Sequence, residues 1–294
     1  MKNLLTTTDL TEEEIYQIFE LARFYIKNGI KPDLNGKMVF SFFAESSTRT
    51  EISFSVAAKK LGCIVEKINP QNLATKKGES FVDLITTLDQ MAPDLLVARH
   101  NKSGVMELIK KYINCSIINA GDGTNQHPTQ ALIDAFTILN HKEQISGVNV
   151  LICGDILNSR VAHSDIEILT RLGANVSITG PSLLMTKYCK DNIKIYKNFE
   201  DAIPNADVIL MLRMQKERHK SYAPENPEQF KKYFCLDTQR LDRAKKDVII
   251  MHPGPVNRNT EISDEVLKNK NCVITKQANY AKFIRAGVIN FLLG

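Results

Sequence analysis

Residues 37–61 read KMVFSFFAESSTRTEISFSVAAKKL, and the fold turns on how this stretch is read. Lys37 to Phe43 is an apolar, aromatic-rich run of strand length. Beyond it, Ile52, Val56, Ala57 and Leu61 recur at helical spacing. The hydroxyl-rich segment Ser46-Ser47-Thr48-Arg49-Thr50 therefore falls at a strand-to-helix turn. Thr48 with Glu51 three residues on matches a capping box, which makes Thr48 the expected N-cap. A helix start offers N–H groups without intrahelical partners and the positive end of the helix dipole. With several hydroxyls and the planar fork of Arg49 added, the turn is a candidate socket for a phosphate-sized dianion. An ordinary Ser/Thr cap with Arg49 in solvent is the alternative for this stretch taken alone.

Outward from this turn the same alternation continues. On the N-terminal side, Thr11 with Glu14 forms a second capping box, and Ile15, Ile18, Phe19, Ala22 and Ile26 give one apolar helix face that stops at Gly29. On the C-terminal side, strands are expected at 63–68, 95–98 and 115–119. Helices are expected at 79–91, with Phe81, Leu84, Ile85, Leu88 and Met91 inward, and at 105–112. Asn69 to Gly78 reads as an exposed polar loop, and Gly121-Asp122-Gly123 as a turn. A long helix opens at His127-Pro128, with proline at a natural first-turn position. After a polar stretch at 140–147 the pattern restarts. Strands are expected at 148–153, 175–179, 207–212 and 247–251, helices at 159–172 and 275–293, and a loop at 223–227. Strands alternating with helices predict an α/β fold: two doubly wound domains with mostly parallel sheets, linked by long helices. Ligands of such sheets bind at the carboxyl ends of the strands.

With 294 residues the chain is long enough for two cores, and 43% hydrophobic with 24% charged residues is the balance of a soluble globular protein. The net charge of +5 is spread over scattered lysines, Trp is absent, and no basic stripe alternates with aromatics. That pattern argues against nucleic acid and favours a small anionic ligand. No apolar run reaches the ~20 residues of a membrane span. Cys63, Cys115, Cys153, Cys189, Cys235 and Cys272 lie outside metal-ligand spacing of one another, and several fall in apolar runs. They read as reduced, buried thiols of a cytoplasmic protein, with no zinc site expected. Cys153-Gly154-Asp155 follows a strand as a dinucleotide turn would, yet neither G-x-G-x-x-G nor a P-loop is present. Nicotinamide and ATP binding are therefore not expected.

The polar residues at strand ends form one constellation. The first half supplies Ser47-Thr48-Arg49-Thr50, Arg99-His100 and His127-Pro128-Thr129-Gln130. The second supplies Arg160 and His163, Arg213-Met214-Gln215-Lys216-Glu217-Arg218, and His252-Pro253-Gly254-Pro255. Arginines at several strand ends with few carboxylates describe a pocket for a highly charged anion. Without a Ser/His/Asp set or a paired-carboxylate arrangement, catalysis would rest on positioning and electrostatics. His163 reads as structural, His100 as a bystander beside Arg99, and Glu217 with Arg218 as an internal ion pair.

In order and spacing, Ser47-Thr48-Arg49-Thr50, His127-Pro128-Thr129-Gln130, Arg213-x-Gln-Lys-Glu-Arg218 and His252-Pro253-x-Pro255 resemble the aspartate/ornithine carbamoyltransferase family, from the first helix to the last. The Arg-x-Gln-x-Glu-Arg motif belongs to its aspartate branch. The ornithine branch carries His-Cys-Leu-Pro at 252–255 and a Ser-Met-Gly loop, neither of which is found here. The resemblance implies transfer of a carbamoyl group from carbamoyl phosphate to L-aspartate, an early step of pyrimidine biosynthesis, with no cofactor or metal. It implies a carbamoyl-phosphate domain at 1–133, completed by the C-terminal helix at about 275–294, and an L-aspartate domain at 134–274. Ser47, Thr48, Arg49 and Thr50 resemble the phosphate cradle, with Arg99 a second cation on it. Thr50, Arg99 and His127 would polarise the carbamoyl oxygen, while Gln130 and the carbonyls of Gly254 and Pro255 would hold the carbamoyl amide. Arg160, Arg213 and Gln215 would take the two carboxylates of aspartate. Lys77 resembles a loop lysine that serves a neighbouring subunit's site, which implies at least a homotrimer; regulatory chains or other pyrimidine enzymes are possible partners. The chain departs from the family at Leu73 and Thr75, near a serine that touches substrate in relatives, and at Asn158, where a tyrosine is common. The same fold acting on ornithine or a close analogue, and a silent anion-binding module, are the competing readings.

Overall fold

The computed structural model describes residues 2–68, 80–185, 193–214 and 227–294. In chain order the strands are β1 Met38–Phe43, β2 Ile64–Ile68, β3 Leu95–His100, β4 Ser116–Asp122, β5 Asn149–Cys153, β6 Asn175–Thr179, β7 Lys194–Tyr196, β8 Val208–Met211 and β9 Ile249–Met251. The helices are α1 Glu12–Asn28, α2 Thr48–Lys60, α3 Phe81–Asp89, α4 Val105–Lys110, α5 Pro128–Lys142, α6 Arg160–Arg171, α7 Phe199–Ala202, α8 Pro227–Phe234, α9 Thr238–Leu241, α10 Asp264–Leu267 and α11 Ile274–Leu293.

The strands form two sheets, ordered β2-β1-β3-β4 and β7-β6-β5-β8-β9, and every pairing within them is parallel. Parallel sheets need both faces covered, which explains the unbroken apolar runs of the central strands. All four residues of the central strand β8 are buried, as are all seven of the edge strand β4, along which Leu4 adds a parallel bridge to Ile118; the edge strands β2 and β7 mix exposed and half-buried positions. The chain divides into two compact units: residues 1–133 with 279–294, and residues 134–278. The division falls inside α5 and again inside α11, so two long helices carry the chain between units.

Local chemistry sets the helix ends. Thr11 Oγ1 accepts the Glu14 N–H at 3.2 Å, and Glu14 Oε2 accepts the Thr11 N–H at 3.0 Å, the reciprocal box read from the sequence. α2 differs from expectation. Its N-cap is Ser47, not Thr48, and the capping box is not formed, because the Glu51 carboxylate pairs with Lys67 Nζ at 2.8 Å instead. Ile26 and Met91, expected on buried faces, are 43% and 63% exposed. Each lies at the end of its periodic run, where the helix face has already turned from the core. β4 runs to Asp122, three residues beyond its expected end. β7 and the short helices α7, α9 and α10 carry too few residues to show a period. The segments 69–79, 186–192 and 215–226, with most of the two expected loops and Cys189, lie outside the described residues. The other five cysteines are free, four of them buried. Burial pushes the thiols of Cys63 and Cys235 up to about 11 and that of Cys115 to about 12, so they stay protonated near neutrality. Among the described residues, no helix is long and apolar enough to cross a membrane.

Candidate active site

Three neighbouring strands of the first sheet, β1, β3 and β4, end in the predicted anion-binding residues. β1 leads through Ala44-Glu45-Ser46 into α2. Ser47, at the cap, points its hydroxyl not at the backbone but at Thr50 Oγ1, 2.9 Å away. The first-turn N–H groups of α2 thus receive no acceptor from their cap residue. Thr50 is buried, while Thr48 and Arg49 are exposed at the helix start. Because Thr50 Oγ1 accepts from Ser47, its own hydroxyl hydrogen is left to donate elsewhere. The turn is braced from behind. Ser53 Oγ donates to the Arg49 and Thr50 carbonyls at 2.7 and 3.0 Å, and the Arg285 guanidinium lies 4.7 Å over the Phe54 ring and reaches the Thr50 carbonyl at 3.5 Å.

Arg99 closes β3, directly across from Phe43 in the β1 register. It is 9% exposed and held by the Ala120 carbonyl at 3.2 Å and by Glu45 Oε1 at 2.6 Å. Glu45 was not singled out in the sequence, although it stands immediately before the hydroxyl run. It shares the charge of Arg99, so any anion that approaches this guanidinium must compete with it. His100 packs edge-on against Phe81, and burial lowers its pKa, followed by the effect of Lys102; it is a structural neutral imidazole here.

His127 and Gln130 are buried on the path from β4 into α5. Their turn is fixed by Asp122, another residue the sequence did not flag. Its carboxylate accepts from Asn119 Nδ2 at 2.8 Å, Gly104 N–H at 2.7 Å, Gln126 N–H at 3.1 Å and Asn125 Nδ2 at 3.1 Å. Four donors on one buried carboxylate leave little freedom in the segment that delivers His127.

In the second sheet β5, β8 and β9 are likewise neighbours, and their ends carry Arg160, Arg213 and His252–Pro255. Arg160 is the first residue of α6 and is buried; Ser159 caps that helix by accepting the Ala162 N–H at 3.1 Å. Asn158, the departure from the family tyrosine, donates from its backbone and side chain to Asp155 at 3.1 and 3.0 Å and so fixes the turn before Arg160. Arg213 follows β8 and is half-buried, and the next N–H, Met214, donates to Glu261 at 2.9 Å. Gly254 and Pro255 follow β9 and are joined by a cis peptide bond. Lys77 and Gln215, with Lys76, Lys216, Glu217 and Arg218, lie outside the described residues. Among the described residues no group of three His, Cys, Asp or Glu could hold a metal ion.

Two parallel α/β units, each ending several adjacent strands in arginines, hydroxyls and amides, define a two-domain enzyme that handles anionic substrates. Comparison with known proteins makes this specific. Residues 2–140 match the aspartate/ornithine carbamoyltransferase carbamoyl-P binding domain, and residues 146–292 match the Asp/Orn binding domain. The chain belongs to the aspartate/ornithine carbamoyltransferase family. It is 43% identical over 295 residues to the aspartate carbamoyltransferase catalytic subunit of Wolbachia sp. subsp. Drosophila simulans (strain wRi), covering 99% of this chain and 97% of the relative. To that of Ehrlichia canis (strain Jake) it is 44% identical, covering 100% and 96%. Among solved structures, aspartate transcarbamoylase from Trypanosoma cruzi in complex with carbamoyl phosphate superposes with TM-score 0.89 at 27% identity, covering 100% of this chain and 96% of that one. Ornithine carbamoyltransferase from Pyrococcus furiosus gives TM-score 0.89 at 30% identity, covering 100% and 97%.

Proposed function

We propose that this chain transfers the carbamoyl group of carbamoyl phosphate to the amine of L-aspartate, giving N-carbamoyl-L-aspartate and phosphate. The backbone alone does not choose the acceptor, since an ornithine and an aspartate enzyme superpose on it equally well. What carries the choice is near-full-length identity of 43–44% to relatives named for aspartate, in agreement with the Arg213-x-Gln motif.

The geometry supports a mechanism without a covalent enzyme intermediate. Ser47, Thr48, Arg49 and Thr50, with the α2 N-terminus, receive the phosphate. Arg99 lies at the adjacent strand end, within the same first sheet. When the amine attacks the planar carbonyl carbon, negative charge grows on the carbonyl oxygen; Arg99, the Thr50 hydroxyl and neutral His127 supply donors for it. As the C–O bond to phosphate breaks, the charge moves to the leaving group, which Arg49 and the helix dipole stabilise. Gln130 and the carbonyls of Gly254 and Pro255 hold the carbamoyl amide. Arg160, Arg213 and Gln215 bind the aspartate carboxylates. The departing phosphate takes the proton that the amine must lose. The enzyme works in the cytoplasm within pyrimidine biosynthesis, as a homotrimer in which Lys77 reaches a neighbouring subunit's site.

A product assay with carbamoyl phosphate and either aspartate or ornithine tests the acceptor. Carbamoyl aspartate and phosphate in equal amounts are expected, with no turnover of ornithine; phosphate release with ornithine alone overturns the reading.

A further inference from the structure

Glu261 has no part in the roles assigned above, yet it is fully buried and accepts hydrogen bonds from two stretches of the second unit, at Met214 and at Asn257. Oε1 accepts the Met214 N–H at 2.9 Å and Asn257 Nδ2 at 2.7 Å, and Oε2 accepts the Asn257 N–H at 2.6 Å. Oε2 also faces His252 Nε2 at 3.6 Å. The His252 tautomer follows from its other nitrogen. Nδ1 accepts the Gly254 N–H at 2.8 Å, so the neutral ring carries its hydrogen on Nε2, directed toward the carboxylate. The same loop is held from behind, where the His252 N–H donates to Gln277 Oε1 at 3.1 Å and Gln277 Nε2 donates to Asp134 at 2.6 Å.

We infer that Glu261 is the positioning residue that sets Arg213 and the Gly254–Pro255 carbonyls together, one carboxylate fixing the backbone beside the aspartate-binding arginine and the histidine that shapes the carbamoyl-amide loop. The physical case is that of a buried anion. Its burial is tolerated because donors meet it, from Asn257 on its own loop and from Met214 on the distant segment after β8. Shifting either segment would strip a donor from the charge, so the two segments hold one arrangement. An amide at 261 cannot replace it: one of its two heavy atoms becomes a donor and faces either the Asn257 N–H and His252 Nε2–H or the Met214 N–H and Asn257 Nδ2.

The inference rests on the proposed carbamoyl transfer, and the test separates the two. Wild type, Glu261→Gln, Glu261→Asp and Asp207→Asn are compared by the KM for each substrate, kcat per active site and thermal stability. Asp207 is the control: it ties Lys245 and Asn149 in the same unit and belongs to no substrate role. Glu261→Gln is expected to raise both KM values about tenfold or more, the size of one misdirected charge-assisted hydrogen bond. Asp207→Asn is expected to lose stability with both KM values unchanged. A merely structural Glu261 would lower the folded fraction and leave KM alone. If Glu261→Gln does not fold, Glu261→Asp decides, since it keeps the charge and shortens the reach; both KM values should rise. Unchanged KM values, or a rise in only one, overturn the inference. Absence of carbamoyl aspartate from wild type overturns the proposed reaction, and the inference with it.

Discussion

A single hydroxyl illustrates how much chemistry turns on one side chain. Thr50 is buried and accepts from Ser47, which leaves its own hydrogen to donate, in the proposed reaction to the substrate. Thr50→Val preserves shape and removes that donor. The expected result is a fall in kcat of roughly 10²-fold, the loss typical of one oxyanion donor, with an unchanged melting temperature. Asp165 makes a different prediction. Burial raises its pKa well above the ordinary carboxyl value, and Asp134, its hydrogen-bonded neighbour, adds to the rise. The folded state therefore holds a proton that the unfolded chain releases near pH 4. The stability this group contributes is full below that pH and fades as pH climbs through the folded value. Asp165→Asn keeps a donor for Asp134 without the ionisation, so the variant should gain stability over wild type, and the gain should widen from pH 5 to pH 8 in denaturant titrations. At this scale the strand-to-helix turn that carries Ser47, Thr48, Arg49 and Thr50 was legible in the sequence, because a hydroxyl-rich run separates an apolar stretch from a helical period. Glu45, Asp122 and Glu261 were not. Each is a lone carboxylate whose meaning depends on donors brought from distant segments.

Among the elements, the strand ends show how backbone approach limits substitution. β5 and β6 end side by side, and a Cβ added at Gly180 would collide with the Gly154 carbonyl oxygen. Gly154 itself sits at φ 135°, against Leu212. Gly180→Ala should cost about 1–3 kcal/mol in chemical denaturation, as overpacking does, and should raise the KM for aspartate because the neighbouring turn delivers Arg160. Strands buried on both faces were the easiest elements to read: β8 is apolar throughout, and β3 and β5 carry the apolar stretches Leu95–Ala98 and Val150–Cys153. Helix starts were less secure. Thr11 and Thr48 present the same S/T-x-x-E signature, yet only Thr11 forms the box, because Lys67 on β2 claims Glu51. Local sequence cannot report a competitor that arrives through sheet pairing.

For the whole molecule, the proposed reaction puts the carbamoyl donor at the strand ends of the first sheet and the amino-acid acceptor at those of the second. The strand–helix alternation made the two parallel sheets with interleaved helices legible. The specific family came from four motifs in register, and the acceptor from sequence identity, since overall shape is shared by both branches. The proposed sharing of sites between subunits gives a prediction of its own. Mixing inactive Lys77→Ala and Arg49→Ala chains after mild dissociation should regenerate activity, because some mixed sites contain neither substitution; a mixture that stays inactive would remove the cross-subunit lysine. The most direct test of the central claim is calorimetric titration of carbamoyl phosphate, without aspartate, into wild type, Arg49→Ala and Arg213→Ala. The account predicts wild-type affinity for Arg213→Ala and affinity about 100-fold weaker or worse for Arg49→Ala, the loss of a bidentate phosphate grip. Undiminished binding by Arg49→Ala, or its loss in Arg213→Ala, would contradict it.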